Sequence, residues 1–347
     1  MNSRTKFLAM ATPIIWLVIV APLVTLSSWW LSFATLKALG WSLIAAPLIT
    51  FWILQSFQSS SIIAKLPATQ LIGVCTVLMN VVMISLPLLF VLQPATVAVV
   101  ATILWILISI YAVWKAQSVN NTKLAIKSKK LQSHSRIMHL SDLHAGSRSR
   151  AFIERMVNQS NNHQPDIVLI TGDLIDSSAV DAGYLTPLKQ FSCPVYLCLG
   201  NHERYVDLQN AIDAIEANNV RILRSEAVIS GDLQITGIDD QDNPQQVTTE
   251  LPQIARDNNK FQILMYHRPH GFEDAANAGI DLMLCGHTHA GQMWPFGLLV
   301  KRQFPYIKGR YEYKDATLYV SQGTGTWGPI MRLGTSSEMT LIEAGPR

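Results

Sequence analysis

The chain has 347 residues, 49% of them hydrophobic and only 15% charged, with a formal net charge of +3. A soluble domain usually carries roughly 25% charged residues, so an entirely water-exposed chain is excluded, and the length accommodates about two or three domains. All 24 acidic residues lie from Asp142 onward, where 17 basic residues leave a net −7, while the 10 basic residues before it stand unopposed. The chain therefore divides into two physically different parts.

Residues 1–115 are expected to form a transmembrane region of about four helices. Uncharged apolar stretches lie at about 9–31, 40–57, 70–92 and 96–114, each close to the roughly 20 residues that a helix needs to cross the hydrocarbon layer. Pro13, Pro22, Pro47 and Pro87 fall inside them and are tolerable where neighbouring helices satisfy the freed carbonyls. Trp29, Trp30, Trp41 and Trp114 near the ends suit the membrane–water interface. Buried helices of a soluble domain would need polar outer faces, which these stretches lack. A cleaved signal peptide over 1–31 would fit the basic start, Arg4 and Lys6, but no A-x-A site follows and three spans would remain.

Basic residues set the expected orientation. Arg4 and Lys6 precede the first span, and Lys115, Lys123, Lys127, Lys129, Lys130 and Arg136 follow the fourth, against Lys37 and Lys65 between spans. The positive-inside rule then places both termini in the cytoplasm, with the second half of the chain facing it. Residues 116–135 are expected to be a basic juxtamembrane linker in contact with anionic headgroups, each basic residue contributing about 1 kcal/mol near the surface.

From 136 to 347 the pattern is that of a layered α/β or α+β domain. Apolar runs rich in β-branched residues recur as RIMHLSD, DIVLITGD, PVYLCLGN, LQITGID, FQILMYH, DLMLCGH, TLYVSQG and EMTLIEA. RAFIERMVNQSNN and LQNAIDAIEANN between them have helical spacing. Continuous apolar runs predict strands covered on both faces. Cys75, Cys193, Cys198 and Cys285 show no C-x-x-C spacing and are expected as free thiols.

Five of the predicted strands end in side chains that bind metals: Asp142 with His144, Asp173, Asn201 with His202, His267, and His287 with His289. Sites in layered α/β proteins form where strand carboxyl ends meet loops. One such histidine is more often structural; five clusters in phase point to a site. Carboxylate, amide and imidazole donors without thiolate suit manganese, iron, zinc or cobalt. Their number exceeds what one ion needs and suits two divalent ions sharing a carboxylate, an arrangement used in phosphoryl chemistry.

The ordered set DLH, GDLID, GNHE, MYH and GHTH resembles the calcineurin-like metallophosphoesterases. The longer GHTHAGQ with the later GTGTWGP looks most like the bacterial membrane-associated branch. The resemblance implies a four-layer α-β-β-α sandwich behind the membrane region, and two divalent ions, most simply Mn²⁺. It also implies roles. Asp142, His144 and His289 would hold one ion, Asn201, His267 and His287 the other, and Asp173 would bridge. His202 would protonate the leaving oxygen with Asp176 orienting it, although Asp176 could equally cap a helix.

Arg268, His270 and Arg332 are weaker candidates for meeting phosphate, against ordinary surface hydrogen bonding. The stretch 293–313, MWPFGLLVKRQFPYIKGRYEY, reads as a cap over the site that also dips into the lipid interface, or as a cap alone. The leading expectation is an inner-membrane hydrolase of a phosphodiester or pyrophosphate in a lipid or nucleotide-lipid, resembling enzymes acting on UDP-diacylglucosamine. A broad phosphodiesterase or phosphomonoesterase on soluble substrates, and a metal-dependent sensor regulating the membrane bundle, are the alternatives. Nucleic acid is a poor partner for this module as a whole, given its net −7, and none is expected.

Overall fold

The computed structural model describes residues 12–31, 35–58 and 62–347; Arg4 and Lys6 lie outside these, as do the side chains of Lys37, Trp41 and Lys65. The chain forms two compact units, Met1–Trp114 with Gly328–Met331, and Lys115–Trp327 with Arg332–Arg347.

The first unit is helical. A π-helical turn, Trp16–Val20, leads into α1 (Ala21–Leu31), followed by α2 (Thr35–Gln58), α3 (Ile62–Ser85) and the start of α4 (Pro94–Gln117). Among the described residues three stretches are long and apolar enough to cross a membrane, namely Thr12–Trp30, Leu66–Phe90 and Pro94–Gln117. The expected second span, 40–57, falls within α2, which is outside that set. Hydroxyls within these helices donate to carbonyls one turn back, as Thr25 to Ala21, Thr50 to Ala46, Thr76 to Ile72 and Thr102 to Ala98. These bonds satisfy the hydroxyls where no water reaches them. On α4, Ile103, Leu107, Ile110 and Trp114 stand more than half exposed, an outward apolar face that suits lipid and would be unfavourable in water.

The second unit is built from two six-stranded mixed sheets. One runs in the order β1 (Val119–Ser128), β12 (Ser337–Pro346), β2 (Ser135–Leu140), β3 (Ile167–Thr171), β4 (Val195–Cys198), β5 (Val220–Ile222). The other runs β10 (Gly309–Tyr313), β11 (Ala316–Val320), β9 (Leu282–Cys285), β8 (Phe261–Tyr266), β7 (Leu233–Ile238), β6 (Glu226–Ser230). Parallel pairs link β2 through β5 and β7 through β9 to β11.

Strand periodicity builds the layers. In β3, Ile167 and Leu169 join a core shared with Phe261, Ile263 and Met265 of β8. The alternate residues Val168 and Ile170 instead pack on Ile153, Met156 and Val157 of the helix Arg150–Asn162, here α5. In β8, Leu264 and Tyr266 face Val247, Phe272 and Ala275 on the opposite outer layer. Both faces of β3 and β8 are buried, which is why these runs are continuously apolar. The outer helices start where caps allow: Ser149 accepts from Phe152 N ahead of α5, and Asp207 from Asn210 N ahead of Leu208–Glu216.

Residues 119–128 correct the expectation of a linker. They form β1, pairing in parallel with β12 from Val119 opposite Ser337 to Ser128 opposite Pro346. Leu124 and Ile126 are buried while Lys123, Ala125 and Lys127 face out, so the alternation of a half-buried edge strand underlies what reads as a basic run. Residues 309–313, expected within a cap, form the edge strand β10 against β11.

Candidate metal centre

The expected donors converge at the carboxyl ends of β2, β3, β4, β8 and β9. Asp142 and His144 follow β2, and both are fully buried. Asp173 follows β3, Asn201 and His202 follow β4, His267 follows β8, and His287 and His289 follow β9. Ligand atoms gather in three overlapping groups, Asp142–His144–His289, His144–Asp173–His202 and Asp173–His267–His287, each within 4.8 Å.

His144 Nε2 lies 3.1 Å from His289 Nε2, and that nitrogen is 3.4 Å from Asp142 Oδ1. On the other side of Asp173, its Oδ2 lies 3.1 Å from His267 Nε2, which is 3.1 Å from His287 Nδ1. His267 Nδ1 donates to Thr171 O at 2.8 Å, which orients its Nε2 toward Asp173. Asp173 Oδ2 is also 4.0 Å from His144 Nε2, so it stands between the two groups.

Two further observations fit metal ions. Asn201 Oδ1 is buried with no hydrogen-bond partner, a costly state for an amide oxygen unless something else coordinates it. Five of the candidate ligands, Asp142, His144, Asp173, His287 and His289, hold left-handed backbone with φ between 47° and 68°. Residues other than glycine rarely adopt it, and such strain gathers where surrounding structure holds side chains to a task. The neighbouring glycines admit this crowding. A Cβ on Gly286 would collide with Ser141 Oγ and Asp142 Oδ2, and one on Gly200 with Asp173.

The electrostatics separate the histidines. Burial holds His144 down at about 4, and burial also depresses His287 and His289, so these are neutral and available as ligands. Burial works against a charge on His267 and His202 as well, but the Asp173 carboxylate outweighs it and raises them to about 10 and about 9. Burial raises Asp142 to about 6. A site crowded with buried carboxylates and imidazoles is unfavourable by itself and gains from a cation.

His202 occupies a different position from the ligands. Its Nδ1 lies 2.6 Å from Asp176 Oδ1, its backbone N–H donates to Asp173 Oδ1 at 2.9 Å, and its Nε2 stays 3.9 Å from Asp173 Oδ2. The Ser147 hydroxyl donates to the other oxygen of Asp176.

The arginines are placed differently from expectation. Arg332 is fully buried; it donates to the carbonyls of Gln322, Gly323 and Gly325 and sits 3.3 Å from His289 Nδ1. A guanidinium so enclosed has no face for substrate, which corrects its reading as a phosphate contact. Arg268 is ion-paired to Asp240 at 2.6 Å and to Asp242, and His270 packs against Phe304. Phe304 also meets the His287 ring edge-on at 5.1 Å, so the 293–313 stretch does contribute a wall of the site.

Glu203 was not foreseen. Fully buried, it accepts from the backbone N–H groups of Asp173, Ile175 and Gly200 at 3.1, 2.9 and 2.8 Å. It thereby ties the turns after β3 and β4 together, and burial raises it to about 7. Its only signal in the sequence is an acidic residue in GNHE where a surface helix would tolerate many others.

Three overlapping donor groups, two of them sharing Asp173, with the His202–Asp176 pair beside them at the strand ends of an α/β sandwich, fit a metal-dependent hydrolase. Residues 135–291 match the family described as calcineurin-like phosphoesterase. An uncharacterized metallophosphoesterase of Campylobacter jejuni is 32% identical over 254 residues, 70% of this chain and 67% of that one. One from Aquifex aeolicus is 32% identical over 251 residues, 68% of this chain and 96% of that one. A transmembrane protein with metallophosphoesterase domain from Danio rerio is 32% identical over 232 residues, 60% of this chain and 52% of that one. The matched region thus spans about two thirds of the first relative and about half of the last. The chain belongs to the calcineurin-like phosphoesterase family and is a metal-dependent phosphoester hydrolase.

Proposed function

We propose that this chain is a membrane-embedded phosphoesterase that cleaves a phosphodiester or pyrophosphate bond in a lipid or nucleotide-lipid, of the UDP-diacylglucosamine kind. The observation that carries the hydrolase reading is Asp173, whose carboxylate stands between two converging sets of buried donors. Asp142, His144 and His289 would hold one divalent ion, Asn201, His267 and His287 a second, and Asp173 both, with manganese taken first and iron, zinc or cobalt as alternatives that the same donors suit. When bound, the ions supply the positive charge that activates water and neutralises phosphate oxygens.

The chain's own residues do the rest. Asp176 holds the Nδ1–H of His202, leaving Nε2 to carry a proton toward the leaving oxygen. Glu203 fixes the turns that carry Asp173 and Asn201. The lipid reading is supported by the apolar helices and by the exposed Trp294, Leu298 and Leu299, which follow the GHTHAGQ ligands in sequence and suit headgroup depth. With α2 taken as a fourth span, the even number and the basic flanks support a catalytic unit on the cytoplasmic side of an inner membrane.

The test is a hydrolysis screen with purified, manganese-loaded full-length protein in lipid nanodiscs, offering phospholipids, nucleotide-lipids and soluble diesters. The proposal expects kcat/KM on at least one membrane-borne ester to exceed that on every soluble ester by tenfold or more. Higher values on soluble esters would leave a phosphoesterase whose helices serve only location.

A further inference from the structure

Outside the ligands, the mouth of the site is lined by aromatic rings that catalysis at phosphate does not need. Tyr205 closes the single-turn helix that begins at His202, and its ring centroid lies 5.1 Å from that of His202, tilted by 59°. Trp327, in the GTGTWGP turn, approaches the same imidazole edge-on at 6.2 Å and 74°. Both separations are those at which rings attract one another. Yet Tyr205 is 70% exposed and Trp327 53% exposed, while the His202 side chain between them is only 11% exposed.

The backbone that carries Trp327 is anchored. Gln292 Nε2 donates to Trp327 O at 2.8 Å, and Trp327 N donates back to Gln292 Oε1 at 3.0 Å. Gln292 ends the GHTHAGQ turn that carries His287 and His289, so the motif that supplies ligands also sets where the indole stands. On the other side, Arg204 donates to Asp240 O at 2.6 Å, fixing the turn that ends in Tyr205. Two rings on anchored backbone thus stay largely exposed, forgoing burial.

We propose that Tyr205 and Trp327 form a leaving-group subsite that selects phosphate esters whose leaving alcohol carries a planar ring. The assignment rests on the phosphoesterase reading, because it takes His202 as the proton donor. The group that receives the proton must lie against Nε2, and the rings flank the same imidazole. A flat, unsaturated body stacks there with area and quadrupole both satisfied; a saturated body gains only contact.

The experiment uses the full-length, manganese-loaded protein in detergent, with metal content measured for every variant. Competitive inhibition of bis(4-nitrophenyl) phosphate hydrolysis is read for inorganic phosphate and for methyl-, cyclohexyl- and phenylphosphonate. Wild type is expected to bind phenylphosphonate about 3- to 10-fold more tightly than the cyclohexyl compound, the usual worth of an aromatic pair. Trp327→Ala and Tyr205→Leu should each raise the phenylphosphonate Ki by about 3- to 10-fold while moving the phosphate Ki less than about 2-fold, and Trp327→Phe should recover most of the loss. Equal affinities for phenyl and cyclohexyl in wild type would overturn the subsite. So would parallel rises for phosphate and phenylphosphonate in both variants. A metal-loaded wild type that does not hydrolyse bis(4-nitrophenyl) phosphate at all would overturn the phosphoesterase reading itself, whereas hydrolysis with equal phenyl and cyclohexyl affinities overturns only the subsite.

Discussion

Asp176 Oδ1 stands 2.6 Å from His202 Nδ1, while Asp173 Oδ2 stands 3.9 Å from Nε2 of the same ring. One imidazole is thus poised between a carboxylate that orients it and a carboxylate placed among the metal donors. Burial opposes its charge, and the two carboxylates overcome burial, raising it to about 9. His202→Asn should keep both metals and slow hydrolysis by about 10²–10⁴-fold, with a smaller defect for nitrophenyl esters, whose leaving groups need no proton. Asp176→Asn should move the alkaline limb of the rate profile to lower pH, because a neutral partner no longer favours the protonated ring. Equal losses on good and poor leaving groups would contradict proton donation.

Gly286→Ala tests how tightly the first donor group is packed. The new methyl would collide with Ser141 Oγ and Asp142 Oδ2, although no ligand is altered. Metal content should fall by about one ion per chain, since a displaced first-group carboxylate leaves its ion underligated. Two ions retained with unchanged affinity would show that Asp142 is not a ligand.

His139 offers a test by pH away from the ligands. Its ring is fully buried beside the Thr171 hydroxyl at 2.8 Å, and burial lowers it from 6.5 to about 3. Between those values the unfolded chain binds a proton that the folded chain refuses. Stability should therefore fall as pH drops through that window and be complete above about 6.5, by up to about 1.4 kcal/mol per pH unit. With chelator present, His139→Gln should give a shallower acid decline in thermal midpoint than wild type. Parallel curves would show that His139 does not titrate on unfolding.

The strand β1 sets where the catalytic unit begins. Leu124 and Ile126 are buried, and ten residues pair with β12. A protein starting at residue 116 should be folded and hydrolyse nitrophenyl diesters. One starting at 136 leaves the β12 edge bare and should aggregate or melt at least about 5 °C lower, for a loss of 1–2 kcal/mol or more. Equal melting temperatures would mean that β1 contributes nothing.

The sequence makes some of this plain and hides the rest for physical reasons. The strands β2, β3, β4, β7, β8, β9, β11 and β12 are visible because both faces are buried, so their apolar runs are unbroken. β1 is hidden because it is a half-buried edge whose partner lies more than 200 residues away, as Thr122 faces Thr340. The donors are visible because Asp, His and Asn end apolar strands. That Asp142, His144, Asp173, His287 and His289 all bend into left-handed backbone is not, since no residue type there announces it. Arg332 misleads because a lone arginine after a glycine-rich turn suggests the surface. Four carbonyls, those of His289, Gln322, Gly323 and Gly325, and a serine hydroxyl, Ser337 Oγ at 3.0 Å, instead hold it inside.

The account depends most on Asp173 serving two ions at once. The direct measurement is elemental analysis of the full-length protein after manganese loading and desalting, read beside the hydrolysis rate, for wild type and Asp173→Asn. Wild type should hold two ions per chain and lose its activity with exhaustive chelation. The variant should hold fewer than one and fall to background. Two ions in the variant at a near-normal rate, or full wild-type turnover with no metal detected, would contradict the shared-carboxylate centre.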